Sequence, residues 1–490
     1  MQRPDDDKTD SLWRPDRRAL TLGLVLTITL VGFESLAIST VMPIVDRDLT
    51  GGNSELYGWV FSGFFLGNLV GIVVAGLLID RGSLVRPFAL GLSLFSIGLL
   101  VGGLAPSMPV LVAGRVLQGL GAGGIPAVAY VSIGRALPEA LRPRMFATLS
   151  TAWVLPGVIG PTVAAVVAET FHWRVVFLGL LPLIAIAAAM TLPAMAAVGP
   201  AAVREPGRED DAAAVAGRRL PLALLLAAAA GMTVAGLTDA RPVPGLPLVV
   251  VGILLGYPAF RRLTPDGTLR AARGLPSAVL LRGVLTFAFF AADAYVALAL
   301  QDWRGTSATE SGIVLTAATL SWTAGAWVQA RWIARIGAAR FVRIGFATVA
   351  VGILGFGAIL SPQVPIAVGV LAWAVAGLGM GFSYSPLSLL VLRDAPPESQ
   401  GTATAGLQLS DVLGTALGTG VGGALIALAH RDGAPGWVGL AWAFGVGVLV
   451  AVAGFALAGR LRHPARDPVE AAPRGVSEPS PATGAADPTR

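Results

Sequence analysis

Residues Ala19–Met42 read ALTLGLVLTITLVGFESLAISTVM, and Pro43 follows. As a helix rising 1.5 Å per residue, the run is about 36 Å long, enough to cross a hydrocarbon core of roughly 30 Å. It carries a single ionisable group, Glu34. A charge at bilayer depth costs at least about 2.5–3.5 kcal/mol on insertion scales, so an acid kept there is a functional candidate by default.

Similar runs recur along the 490 residues, which are 54% hydrophobic and 13% charged, with mean hydropathy +0.73. A soluble chain would carry roughly 25% charged residues. The pattern predicts an all-α polytopic membrane protein with spans at 19–43, 55–79, 87–105, 109–134, 144–168 and 174–198. A charged break follows, REPGREDDAAAVAGRR, from Arg204 to Arg219. Two further runs lie at 220–238 and 242–260, then six more at 275–300, 308–333, 339–361, 365–392, 401–429 and 436–460. The expectation is therefore fourteen transmembrane helices, six, two and six. Residues 1–18 form a cytoplasmic tail, 19–198 the first bundle, 199–274 a loop and two linker helices, 275–460 the second bundle, and 461–490 a disordered cytoplasmic tail. That tail holds six prolines and little apolar content.

Loop charge tests the count. With both termini cytoplasmic, 28 of the 35 Lys and Arg fall on the inner side and five on the outer: Arg47, Arg174, Arg241, Arg304 and Arg431. Arg115 and Arg282 fall within spans. Such asymmetry is the positive-inside rule, and one miscounted span would scramble it. Dropping the middle pair preserves parity, so twelve spans with a re-entrant hairpin fit equally. The basic balance reflects topology, with no nucleic-acid partner implied.

Composition excludes several classes. There is no cysteine, hence no disulfide and no thiolate metal site, and His172, His430 and His463 are too far apart in sequence for a histidine cluster. No phosphate loop is present and the polar loops are short, so an ion or substrate gradient must supply the energy and no cofactor or metal is expected. A membrane-embedded acyltransferase would need a nucleophile or His–Asp constellation at one face, and none is visible. A sensor would not need three acids inside spans. The first run is too long, and lacks the small-residue pattern, for a cleaved signal.

Several stretches carry a resemblance. GLLIDRGSLVR (76–86) resembles the loop between spans 2 and 3 of the major facilitator superfamily through Gly76, Asp80, Arg81 and Arg86, although Ser83, Leu84 and Val85 break its usual ending. RVLQGLGAGG (115–124) is similar to the span 4 motif. WVLPGVIGPTVAA (153–165) resembles the span 5 antiporter motif through Gly157, Gly160 and Pro161. HWRVVF (172–177) looks like the usual entry to span 6. In FESLAISTVMP (33–43) an acid precedes a proline by nine residues, as in the span 1 motif, with Glu where Asp is more usual. From residues 19 to 460 the chain thus resembles the fourteen-span drug:proton antiporters of that superfamily. The resemblance implies two six-helix bundles plus two linker helices, in a monomer of the inner (plasma) membrane that exports small amphipathic compounds against protons. A metabolite, sugar or lipid carrier on the same scaffold is the alternative. It also implies that the Asp80 loop latches neighbouring helices and that the Gly157–Pro161 kink seals the cavity.

Four charges inside spans are candidates for proton coupling: Glu34, Arg115, Asp293 and Asp411. Glu34 lies roughly 13 Å, Arg115 roughly 9 Å and Asp293 roughly 10 Å from the outer ends of their spans, so the first two are expected to meet. Apolar surroundings favour a neutral acid and a nearby guanidinium favours the ionised one, so relative movement would switch proton affinity. A static pair fixing helix packing is the bland alternative. In LRGVLTFAFFAADAYVALAL (281–300), Arg282, Thr286, Phe289 and Asp293 recur at helical spacing and suit a cavity wall for a lipophilic cation. Gln118, beside Arg115, and Gln408, one turn before Asp411, are further cavity candidates. Gly414, Gly418 and Gly422 repeat every four residues, as close helix packing requires.

Overall fold

An apolar run in lipid must bond its own backbone, and a helix does this without a partner strand. The computed structural model describes residues 11–52, 55–80, 83–138, 141–198, 208–238, 242–395 and 400–461, and within them it is helical with no strand. The first half comprises α1 (Pro15–Thr50), α2 (Tyr57–Asp80), α3 (Val85–Gly103), α4 (Met108–Ala136), α5 (Arg142–Thr170), α6 (Trp173–Leu178) and α7 (Leu180–Val198). A hairpin follows, α8 (Arg208–Thr238) and α9 (Pro242–Leu263). The second half comprises α10 (Leu275–Leu298), α11 (Ala308–Ile336), α12 (Ala338–Gly357), α13 (Ile366–Asp394), α14 (Gln400–Arg431) and α15 (Gly436–Leu457).

Local chemistry explains the boundaries. α1 ends on Gly51, whose φ of 76° closes the helix in the left-handed region that glycine tolerates. α11 starts on a capping box in which Ser307 and Glu310 each satisfy the other's backbone N–H. The sixth run is broken at Gly179, so α6 and α7 share it. The charged break expected up to Arg219 is helical from Arg208. Its alanines are strong helix formers. Residues 1–10, 199–207 and 462–490, including most of both predicted tails, lie outside the described residues.

Among the described residues, twelve helices are long and apolar enough to cross a membrane, the hairpin helices among them. α11 does not reach that mark, and the continuously described stretch of α5, Ile159–Thr170, is apolar but shorter. Against the fourteen predicted spans, twelve are supported among the described residues. α11 packs on α13 and α5, and its Ser311 and Gln329 are buried, so its polar residues are covered by neighbouring helices.

Within the first half α4 packs on α2 and α3, and α1 on α5 and α7; in the second, α13 packs on α11 and α12, and α10 on α14 and α15. Gly414, Gly418 and Gly422 of α14 pack against α10, facing Gly283, Phe287 and Ala291. The halves meet along α2 with α14 and α5 with α11. At the end that carries the α1–α2 and α10–α11 turns, here the distal end, several bonds cross this seam. Gln301 Nε2 donates to the Thr40 carbonyl at 2.8 Å, and Thr309 Oγ1 to Glu169 at 2.5 Å. Arg47 pairs with Asp302 at 3.1 Å and Arg431 with Glu55 at 2.9 Å. Exposed pairs contribute under about 1 kcal/mol each, so they hold this end only weakly.

Gly58 and Gly423 bring α2 and α14 close together at this end. A Cβ on Gly423 would stand 2.6 Å from Tyr295 Oη and 2.8 Å from Gly58 Cα. Gly423→Leu is therefore expected to wedge the distal end apart, since overpacking costs about 1–3 kcal/mol. The check is a cysteine at Ser62, which is fully buried at the same seam. In the otherwise cysteine-free chain it should react with a soluble maleimide only when Gly423 is replaced.

Candidate functional site

α1 and α4 carry the first buried charge pair. Arg115 is 1% exposed and Glu34 3%. Arg115 Nη1 donates to Glu34 Oε1 and, at 2.6 Å, to Gln118 Oε1, while its Nε donates to the Val60 carbonyl at 3.1 Å. The guanidinium lies 4.3 Å from the centre of the Phe64 ring. Glu34 Oε2 and Gln118 Nε2 are buried without a hydrogen-bond partner among the described residues. Such atoms cost about 1–3 kcal/mol each, so this cluster holds unused polar capacity. Gln118 serves as a ligand of Arg115, one turn along α4, rather than as open wall.

A second pair joins α10, α13 and α14. Arg282 Nε donates to Asp411 Oδ1 at 2.9 Å, and its Nη1 to the Tyr384 carbonyl at 2.6 Å and Ser388 Oγ at 3.3 Å. Tyr384 Oη donates to Asp411 Oδ2 at 2.9 Å, and Thr286 Oγ1 to the Asp411 carbonyl at 2.9 Å. Arg282 and Thr286 are buried, whereas Asp411 is half-buried and Gln408, one turn earlier on α14, is exposed. The stripe Arg282–Thr286–Phe289–Asp293 therefore divides. Its first two members bind α13 and α14, and its last two face aromatic rings.

Asp293 is half-buried. Trp373 Nε1 donates to its Oδ1 at 3.2 Å, and among the described residues no cation pairs with it. Phe289 stacks on Trp373 with centroids 5.3 Å apart and meets Trp322 edge-on at 5.9 Å; Trp322 meets Tyr384 at 5.3 Å. Phe290 reaches Phe65 of α2 at 6.3 Å, so the aromatic wall extends across the seam between the halves. Trp373, Phe290 and Phe65 were not foreseen. A tryptophan in LAWAVAG reads as packing, and only its position beside Asp293 makes it more.

Gly157 and Gly160 lie where α5 meets its neighbours. A Cβ on Gly157 would run into the Thr319 side chain of α11, and one on Gly160 would touch Phe33 at 3.5 Å. Pro161 is buried, and Gly312 of α11 packs on its carbonyl. This stretch is a contact between the halves. Gly76 faces open space and Arg86 is exposed; the Asp80 side chain and Arg81 lie outside the described residues. Among those residues no group of His, Cys or acids could hold a metal ion.

The arrangement is two helical halves, an interhelical charge pair in each, and in the second half an acid that, among the described residues, has no cationic partner and bonds to Trp373 beside further aromatic rings. The profile of the Major Facilitator Superfamily matches residues 24–404 and 278–486. The chain belongs to the major facilitator superfamily. It is a multi-span membrane transporter. It is 28% identical over 431 residues to a probable multidrug-efflux transporter of Mycobacterium tuberculosis strain H37Rv, covering 84% of this chain and 88% of the relative. It is 26% identical over 411 residues to multidrug resistance protein Stp of the same strain, covering 82% and 74%. Among solved structures, an auto-inhibited peptide transporter of the POT family superposes with a TM-score of 0.67 at 16% identity, covering 91% of this chain and 97% of that one. That likeness speaks for the fold alone.

Proposed function

We propose that this transporter exports small amphipathic, preferentially cationic compounds from the cell by alternating access, in exchange for protons. The observation that carries the reading is Asp293, an acid on α10 without a cationic partner among the described residues, held by Trp373, which stacks on Phe289, itself edge-on to Trp322. A lipophilic cation supplies what that wall lacks: a positive charge for the carboxylate and apolar surface for the rings. The multidrug-efflux relatives support the direction of transport.

Glu34 takes the proton in this scheme. Ionised, it holds Arg115; protonated, it releases much of that attraction, and the α1–α4 contact loosens as the halves rock. The distal end faces outward and both termini are cytoplasmic, in keeping with the arginine distribution, so the arrangement described above is the inward-facing one. α5 and α11 cross the bilayer sheltered by their neighbours, making fourteen spans in a monomer of the plasma membrane. Asp411, already paired to Arg282, tunes the second half. Gln408 lines the open side, and the Asp80–Arg86 loop latches the cytoplasmic ends.

The test is transport in proteoliposomes of a lipophilic quaternary cation under an imposed pH gradient. Asp293→Asn is expected to weaken binding of that cation about tenfold or more, because removing one partner of a desolvated charge pair costs more than about 1.4 kcal/mol. A neutral substrate of similar size should bind unchanged. Equal loss for both would mean that Asp293 shapes the wall rather than recognising charge.

A further inference from the structure

The hairpin α8–α9 leaves an opening outside the seam between the halves. α9 is held to the bundle chiefly through α8, which packs on α2 and α14. Between α9 and the second half runs a groove of about 380 Å³, walled by Ile253, Leu280, Phe287, Leu413 and Val450. Gly256, Gly283 and Gly414 also line it, so little side chain fills the space. At the C-terminal end of α9 a second cavity of about 260 Å³ shares Tyr257 and Leu269 with the first. Its lining is different: Arg261, Thr264, Asp266, Thr268 and Arg270.

The mouth is well fixed. Thr268 Oγ1 donates to the Pro265 carbonyl at 2.6 Å, and Arg460 Nη1 donates to the carbonyls of Arg270 at 2.9 Å and Ala271 at 3.2 Å. Between residues 256 and 274 stand four arginines, 261, 262, 270 and 273, against the single acid Asp266. All four are exposed. An apolar trough ending at a basic, hydroxyl-bearing mouth, on the flank of a membrane protein and at a helix end, matches an amphiphile with an anionic head and a hydrocarbon tail.

We propose that this two-part groove binds an anionic glycerophospholipid, its phosphate between Arg261 and Arg270 and one acyl chain along α9 and α10. The lipid would tie the linker hairpin to the second half while leaving the seam free, and the site stands whether or not the chain pumps protons.

The full-length protein, reconstituted in nanodiscs of equal phosphatidylglycerol and phosphatidylcholine and then taken into detergent, provides the test. Native mass spectrometry should show phosphatidylglycerol retained over phosphatidylcholine. Arg261→Gln with Arg270→Gln should reduce that preference about tenfold or more, as the loss of two charges near an anionic surface implies. Ile253→Trp, which fills the trough from an exposed position (56% exposed), should lower retention with the arginines intact. Arg340→Gln, an exposed arginine on α12, should change nothing. All variants should melt with the parent in lipid-free detergent. Equal retention of the two lipids by the parent, unchanged retention in both groove variants, or full displacement by inorganic phosphate alone would each overturn the proposal.

Discussion

Glu34→Gln is expected to yield a folded protein that still binds substrate and no longer responds to a pH gradient. Gln is nearly isosteric with Glu, and its amide oxygen can still accept from Arg115, so the packing of α1 on α4 is preserved. What disappears is the exchangeable proton. For one proton per substrate, a gradient of one pH unit is worth about 1.4 kcal/mol, or about tenfold in the substrate accumulation ratio. In the parent this ratio should climb with the imposed gradient, after allowance for any membrane potential. In the variant it should stay flat, with efflux of preloaded substrate running downhill only. Accumulation that tracks the gradient as in the parent would remove Glu34 from the coupling and turn attention to Asp293 and Asp411.

The sequence revealed Glu34 and Arg115 because charge is rare inside spans, and a rare feature can be located without knowing its neighbours. Their meeting was legible too, since depth along a helix follows from residue count. Arg282 was different. Its place on one stripe with Asp293 is real, yet its partner Asp411 lies on α14, 129 residues away, and helical periodicity says nothing about which helix stands opposite. Trp373 escaped for a related reason. An aromatic residue in an apolar run has the same appearance whether it faces lipid, core or cavity. Boundaries fared according to cause: Gly51 and the Ser307–Glu310 box are local signals, whereas the helix through Arg208–Arg219 prolongs α8 across a stretch whose charge suggests a loop. α11 marks the limit of hydropathy itself. A helix shielded by its neighbours carries polar residues, so its composition under-reports its depth.

The second large effect separates packing from coupling. Arg115→Met alone should destabilise the protein by about 3–5 kcal/mol, because it strands the Glu34 carboxylate in a site 3% exposed. Glu34→Leu alone should cost a comparable amount by stranding the guanidinium, although Gln118 and the Val60 carbonyl still hold it. Combining them replaces a buried ion pair by apolar side chains, a change that is often neutral or stabilising. The double variant should therefore melt close to the parent in detergent, well above the sum of the single losses, while remaining unable to respond to a pH gradient. Stability and coupling then part company in one molecule, which a pair that merely fixes packing cannot produce. A double variant as unstable as the two singles together would show that Arg115 is needed for Gln118 and Val60 independently of the acid. One that is stable and still follows the gradient would leave the pair as scaffold and move the proton to the second half.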